Sequence, residues 1–110
     1  MKKRFGKRKK AMKKMYVLVR NDLASTYKNV QGAHALAQFA MEHPKEFKEW
    51  ENTTLVFLGV PNLREMRNWY LRFMQMKKPY SIFNELDLDD QITAIACYDT
   101  GIIFRKIGLA

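Results

Sequence analysis

The stretch VLVRNDLASTYKNVQGAHALAQFA, residues 17–40, decides how the chain is read. With Met15 and Tyr16 ahead of it, its start forms the apolar run MYVLV, the pattern of a strand buried on both faces of a largely parallel sheet. Arg20, Asn21 and Asp22 end the strand in a polar turn, and Ser25 or Thr26 is placed to cap a following helix. At about 100° per residue, Val30, Ala33, Leu36, Ala37, Ala40 and Met41 gather on one side of that helix. Tyr27, Gln31, His34 and Gln38 form a polar stripe on the other. A strand end facing a helix start is where α/β sheets place ligands, so the stripe with Arg20 and Asp22 is the candidate site. His34 alone reads as a hydrogen-bonded structural histidine. Gln31 and Gln38 share its face without a packing reason, which adds weight to the site.

Outward from this stretch, Pro44 closes or kinks the helix, and residues 45–50 add a short turn docked by Phe47 and Trp50. Residues 53–60 (TTLVFLGV) are the clearest strand. Asn62, three residues ahead of Glu65, caps a helix running to about Lys77. Its apolar side is Leu63, Met66, Trp69, Tyr70, Phe73 and Met74, which reads as core. Opposite lie Arg64, Arg67 and Arg72, a solvated face or part of an RNA-facing one. Pro79 breaks this helix before a third strand over residues 80–83, and the acidic loop NELDLDD leads to a fourth over residues 91–98. Residues 102–109 fit either a short helix or an edge segment. The order β-α-β-α-β-β predicts a single α/β domain with a four-stranded mixed sheet flanked by helices.

A length of 110 residues with 47% hydrophobic content suits one domain with a real core. The net charge of +9 is unevenly spread, because residues 1–14 hold nine of the 20 Lys and Arg and no acid. Lys2, Lys3, Arg4, Lys7, Arg8, Lys9 and Lys10 open this run. Mutual repulsion predicts a flexible arm over residues 1–14, followed by the domain over 15–110. The arm reads either as a phosphate-binding element that gains affinity by counterion release, or as a solubilising tail or a product of imperfect start-site choice. Cys97 is the only cysteine, so no intramolecular disulfide or cysteine metal cluster is expected. The absence of a long apolar run and of a secretory signal leads to the expectation of a soluble, cytoplasmic protein.

The sequence contains no Gly-rich phosphate loop, paired metal-ligand motif or serine nucleophile elbow. His34 and His43 do not form a zinc pair. Asp87, Asp89 and Asp90 read as a solvated acidic loop, since the glycine of a calcium loop is missing.

VLVRNDL followed by Gln31-Gly32-Ala33-His34-Ala35 resembles the opening of the type II peptidyl-tRNA hydrolases of archaea and eukaryotes. In that family a Val-rich strand ends in Arg-x-Asp-Leu and the helix carries Gln-x-x-His-Ala. TTLVFLGVPNLREM is similar to its second strand, which ends in Val-Pro before a helix. PYSIFNELDLDDQITAIA is similar to its third and fourth strands, with an acidic residue between them and a threonine opening the last. The likeness covers about residues 15–98 and is to the short, divergent versions of bacteria and phages.

The resemblance implies cleavage of the ester between a peptide and the terminal ribose of tRNA, without a cofactor. An activated ester needs mainly positioning, a water and donors for the oxyanion. It implies catalytic roles for His34, Asp87 and Thr93 and substrate contacts for Asp22 and Gln31, with Lys28 as the nearest cation to the family's lysine. The strand end and the polar stripe add Arg20, Tyr27 and Gln38 as substrate contacts. Tyr27 stands where the family has the lysine of a Gly-Lys element. Lys28, one residue and about 100° further on, replaces it only if the helix starts later. The last loop is also shorter and lacks the family's Gly-x-Thr-Gln segment.

Two other readings stay open. One is a tRNA- or RNA-binding module that kept the fold and lost the chemistry. The other is a phage protein whose partner is a host protein. Family members often pair, so a homodimer is a further expectation.

Overall fold

A computed structural model of the protein describes residues 12–108. The first eleven residues, and with them most of the expected basic arm, lie outside the described part. Four strands, β1 (Lys14–Arg20), β2 (Leu55–Val60), β3 (Tyr80–Glu85) and β4 (Gln91–Asp99), form one sheet in the order β2-β1-β4-β3. β1 pairs with β2 in parallel and with β4 antiparallel, and β3 pairs antiparallel with β4. The expected α/β fold with a four-stranded mixed sheet is therefore what the chain forms. No helix of the described residues is long and apolar enough to cross a membrane.

β1 is central because both of its faces are apolar. Met15, Val17 and Val19 enter one core with Ala94, Ala96, Phe39 and Trp50. Tyr16 and Leu18 enter the other, with Ile95, Met66, Trp69 and Phe73. Each side chain fully buried this way contributes roughly 1.5–3 kcal/mol. Helices α1 (Ser25–Glu42) and α2 (Pro44–Trp50) cover the first face, and α3 (Leu63–Gln75) covers the second.

The rotation of α1 departs from the sequence expectation. Gln31, Gly32, Ala35 and Phe39 face the sheet, with Leu36 packed half-buried beside them. Val30 and Met41 are 45% and 70% exposed, and Ala33 and Ala37 are exposed as well. Close approach explains the difference. A Cβ at Gly32 would lie 2.5 Å from Phe57 and 3.0 Å from Val19, so this residue lets the helix come close over those two side chains. Phe39, wholly buried, fills the space beneath the next turn.

The helix ends also differ. Neither Ser25 nor Thr26 caps α1. Ala24 holds the N-cap position in extended backbone, with no side-chain bond to the free N–H groups. In α3 the expected cap is present, the Glu65 N–H donating to Asn62 Oδ1 at 2.9 Å. Pro44 opens α2 directly after α1, and α3 stops at Gln75. The ambiguous C-terminal stretch divides between both expectations. Ile102–Phe104 make a short 3-10 turn that buries Phe104 against Tyr16 and Trp69. Further on, the Gly59 N–H donates to Gly108 O at 3.0 Å, one rung on the outer edge of β2.

The unequal caps give a prediction. Asn62→Ala lowers unfolding stability by about 1 kcal/mol, and Ala24→Ser raises it by a similar amount. Urea unfolding followed by circular dichroism measures both, and no gain from Ala24→Ser would show the α1 terminus to be satisfied already.

Candidate functional site at one end of the sheet

β1, β2 and β3 run in one direction and β4 in the other. Arg20, Val60, Glu85 and Gln91 therefore share one end of the sheet. Polar groups collect there on both faces.

On the α1 face the centre is a buried pair. Phe83 pairs with Ala94 and Asn84 with Ile92, so Thr93 is the extra residue of a β-bulge. The bulge turns its side chain toward α1, where Thr93 Oγ1 donates to Gln31 Oε1 at 2.6 Å. Both residues are fully buried. Gln31 Nε2 donates onward to Glu85 Oε1 at 2.8 Å, and the Asp87 N–H donates to Glu85 Oε2 at 3.3 Å. The bond from Gln31, then that from Asp87, holds the Glu85 carboxyl below its ordinary value. Glu85 is accordingly an ionised acceptor, suited to orienting a donor such as water and weak as a base.

Three more residues border this carboxylate. The His34 ring stacks on Phe83 at 4.5 Å, with 8° between the planes, and its charge adds to the lowering of Glu85. Partial desolvation, followed by the charges of Glu85 and Asp87, raises the Tyr27 phenol above its ordinary value. It stays a hydrogen-bond donor at neutral pH. Asp87 is exposed, and its backbone N–H is the group it contributes.

Lys28 lies on the other flank of α1. Its N–H donates to Ala24 O at 2.7 Å, so the helix has already begun there and the later start that would align Lys28 with the family's lysine does not occur. Tyr27 is directed toward Glu85. Lys28 Nζ donates to Asn21 Oδ1 at 3.1 Å, and Asn21 is tied to β2 through Val60 O at 2.7 Å. The ammonium is thus held at the joined ends of β1 and β2, exposed to solvent on its open side.

Arg20 and Asp22 form a brace rather than a free contact surface. The Arg20 guanidinium, 6% exposed, grips Asp22 in a fork with Nε–Oδ1 at 3.0 Å and Nη2–Oδ2 at 2.7 Å. Nη1 donates to Gln91 Oε1 at 2.9 Å and to Ile92 O at 3.4 Å, joining β1 to β4. The hydrogen bonds from Arg20 hold the Asp22 carboxyl below its ordinary value. Gln38 stands apart, seven residues or ~10 Å along the helix from Gln31. It donates to Glu42, which also accepts from Ser81 at 2.6 Å.

The polar stripe is therefore a seam along β3 that opens into a site only at its N-terminal end. Glu85, Gln91 and Asn21 belong to that site and were not singled out from sequence. The signal for Glu85 was the length of β3, which continues two residues past Phe83. Among the described residues no cluster of three or more His, Cys, Asp or Glu could hold a metal ion. Lys2, Lys3, Arg4, Lys7, Arg8, Lys9 and Lys10 lie outside the described residues. Comparison with models of known protein families found no match, and comparison with curated proteins found none.

Two outcomes test this arrangement. Thr93→Val leaves the Gln31 carbonyl buried without a donor and destabilises by about 1–3 kcal/mol, whereas Thr93→Ser keeps most of the stability; equal losses would assign the effect to packing. The second concerns acid. Asp22 has a lowered native pKa, so its contribution is present above the unfolded value of about 3.9 and fades as pH falls through the native value. The stability gap between the protein and Asp22→Asn is widest near neutrality and narrows below about pH 4; a gap independent of pH would disprove the charge contribution.

Proposed function

We propose that the protein hydrolyses the ester linking a peptide to the terminal ribose of tRNA, in the manner of the type II peptidyl-tRNA hydrolases it resembles. One observation carries this reading. Gln31 and Thr93, from motifs at opposite ends of the chain, meet through a 2.6 Å bond and hold a carboxylate at the sheet end. Lys28 is anchored at the same end.

In this reading a water accepts orientation from Glu85 and attacks the ester carbonyl carbon. Negative charge develops on the carbonyl oxygen, and the Lys28 ammonium, anchored at this end of the sheet on the other flank of α1, is the cation nearest to hand for it. The bond to the ribose oxygen then breaks. The water's hydroxyl stays on the peptide as a carboxylic acid and its proton ends on the ribose oxygen, so no cofactor is needed. Thr93 and Gln31 act by aiming Glu85. Asp87 remains a second candidate for the acidic role that the resemblance implies, but Glu85 is the carboxylate that the buried pair holds.

The alternative is an RNA-binding module of this fold without the chemistry. Its specific support is the separation of Tyr27 and Lys28 by one helical step, which leaves Lys28 bonded to Asn21 instead of lying beside Glu85.

The test is peptide release from an N-acetyl-aminoacyl-tRNA, with protein in excess over substrate. Release is expected, with Lys28→Ala slowing it on the order of 100-fold and Glu85→Gln by a comparable factor. Asp87→Asn has a much smaller effect if Glu85 orients the water. An intact ester after prolonged incubation with the unaltered protein would overturn the hydrolase reading.

A further inference from the structure

The neutrality of residues 15–110, eleven basic against eleven acidic, conceals a separation of charge. Residues 64–78 hold five of those bases and one acid, Glu65, while residues 85–90 hold four acids and no base. Arg64, Arg67 and Arg72 lie exposed on α3, whose Met66, Trp69 and Phe73 enter the core; Arg64 is opposite that apolar side and Arg67 and Arg72 stand on its two flanks. Among the described residues Arg64 and Arg67 form no ion pair. The Arg72 guanidinium lies 4.2 Å from the centre of the Trp69 ring, which positions it without neutralising it. The outer face of α1 is the contrast, since Asn29, Val30, Ala33, Ala37 and Met41 carry no charge.

The course of α3 gives this face a direction. The helix starts just after Val60, at the candidate-site end, where Val60 O receives the Asn21 N–H. It finishes at the opposite end. There Lys78 pairs with Asp99 at 2.7 Å, and Asp99 lies across from Lys14 at the start of β1. The nine cations of residues 1–14 are joined to the domain at that far end.

We infer that the outer face of α3 is a track for an RNA phosphate backbone, running from the candidate site toward the basic N-terminal segment. This rests on RNA being the ligand and is independent of ester cleavage. Arg64 to Arg72 span about 12 Å along the helix, the rise of roughly three to four phosphates along one strand of a duplex. Arginine forks suit phosphate oxygens, and an unpaired arginine loses no existing partner on binding. Asp89 and Asp90 border a cleft beside Arg67 and disfavour a polyanion inside that cleft.

Deacylated tRNA tests the track because it has no ester to cleave. The full chain is titrated with it across a potassium chloride series. Arg64→Gln with Arg67→Gln should lower the slope of log affinity against log salt by about 2, and adding Arg72→Gln by about 3. Lys45→Gln with Lys48→Gln, on α2 across the sheet, should leave it unchanged, and thermal unfolding by circular dichroism checks that each variant is folded. An unchanged slope in the α3 variants would overturn the inference. So would an equal loss in the α2 variant, or no tRNA binding by the unaltered protein. A protein that binds through α3 but releases no peptide would uphold the track and defeat the ester reading. Peptide release with α3 variants that bind normally would do the reverse.

Discussion

The hydrogen bond from Thr93 to Gln31 sets the rotation of α1, and much of the structure depends on that rotation. A side-chain amide inside a helix–sheet interface is costly unless its groups find partners. Here Thr93 satisfies the carbonyl and Glu85 takes the amide hydrogen. Turning the helix by one residue, about 100°, would break both bonds and strand the fully buried Gln31 and Thr93 side chains without each other. The same constraint directs Tyr27 toward β3, puts Lys28 on the β1 side and leaves Val30 and Met41 outside. The bulge in β4 makes the pair possible, because in regular pairing Thr93 and Ala94 would face opposite sides of the sheet.

The two faces of the sheet consequently have different characters. The α1 side joins to the sheet through a polar seam that continues past the site in the Gln38–Glu42–Ser81 chain and in His43, whose ring meets Tyr80 O. The α3 side is sealed by aromatic rings, Trp69, Phe73, Phe104 and Tyr16. An aromatic layer holds its helix by area and shape and leaves the outer surface of that helix to any residue type. That freedom is what permits α3 to carry three arginines without loss of packing.

Much of the architecture was legible because the strands are apolar runs with clear ends. MYVLV and the TTLVFLGV stretch could be read directly, and Asn62 with Glu65 announced α3. The rotation of α1 was not legible. Counting apolar residues favoured Val30, Ala33, Ala37 and Met41, whereas the packing is set by the missing side chain at Gly32 and by one large ring, Phe39. Gln31 inside a core looks like an error until Thr93 is seen to meet it, and no sequence signal marks that bulge. The site was legible in part for the same reason. Gln31, His34 and Thr93 could be named as types, but Glu85 acquires a direction only when β3 is known to reach it. Arg20 and Asp22 looked like ligand groups because their service to one another leaves no trace in their spacing.

The position of β1 bears on how the chain comes to be folded. Its neighbours in the sheet are β2 and β4, and Lys14 pairs with Asp99 near the far end of the sequence. A chain made from its N-terminus can pair β1 with β2 about half-way through synthesis, but the other edge of β1 waits for β4 near the end of the sequence. Contacts so distant along the chain slow folding, and an unpaired apolar strand is the segment most prone to stick to its own copies meanwhile. Nine positive charges stand immediately ahead of it, where repulsion between chains opposes that association.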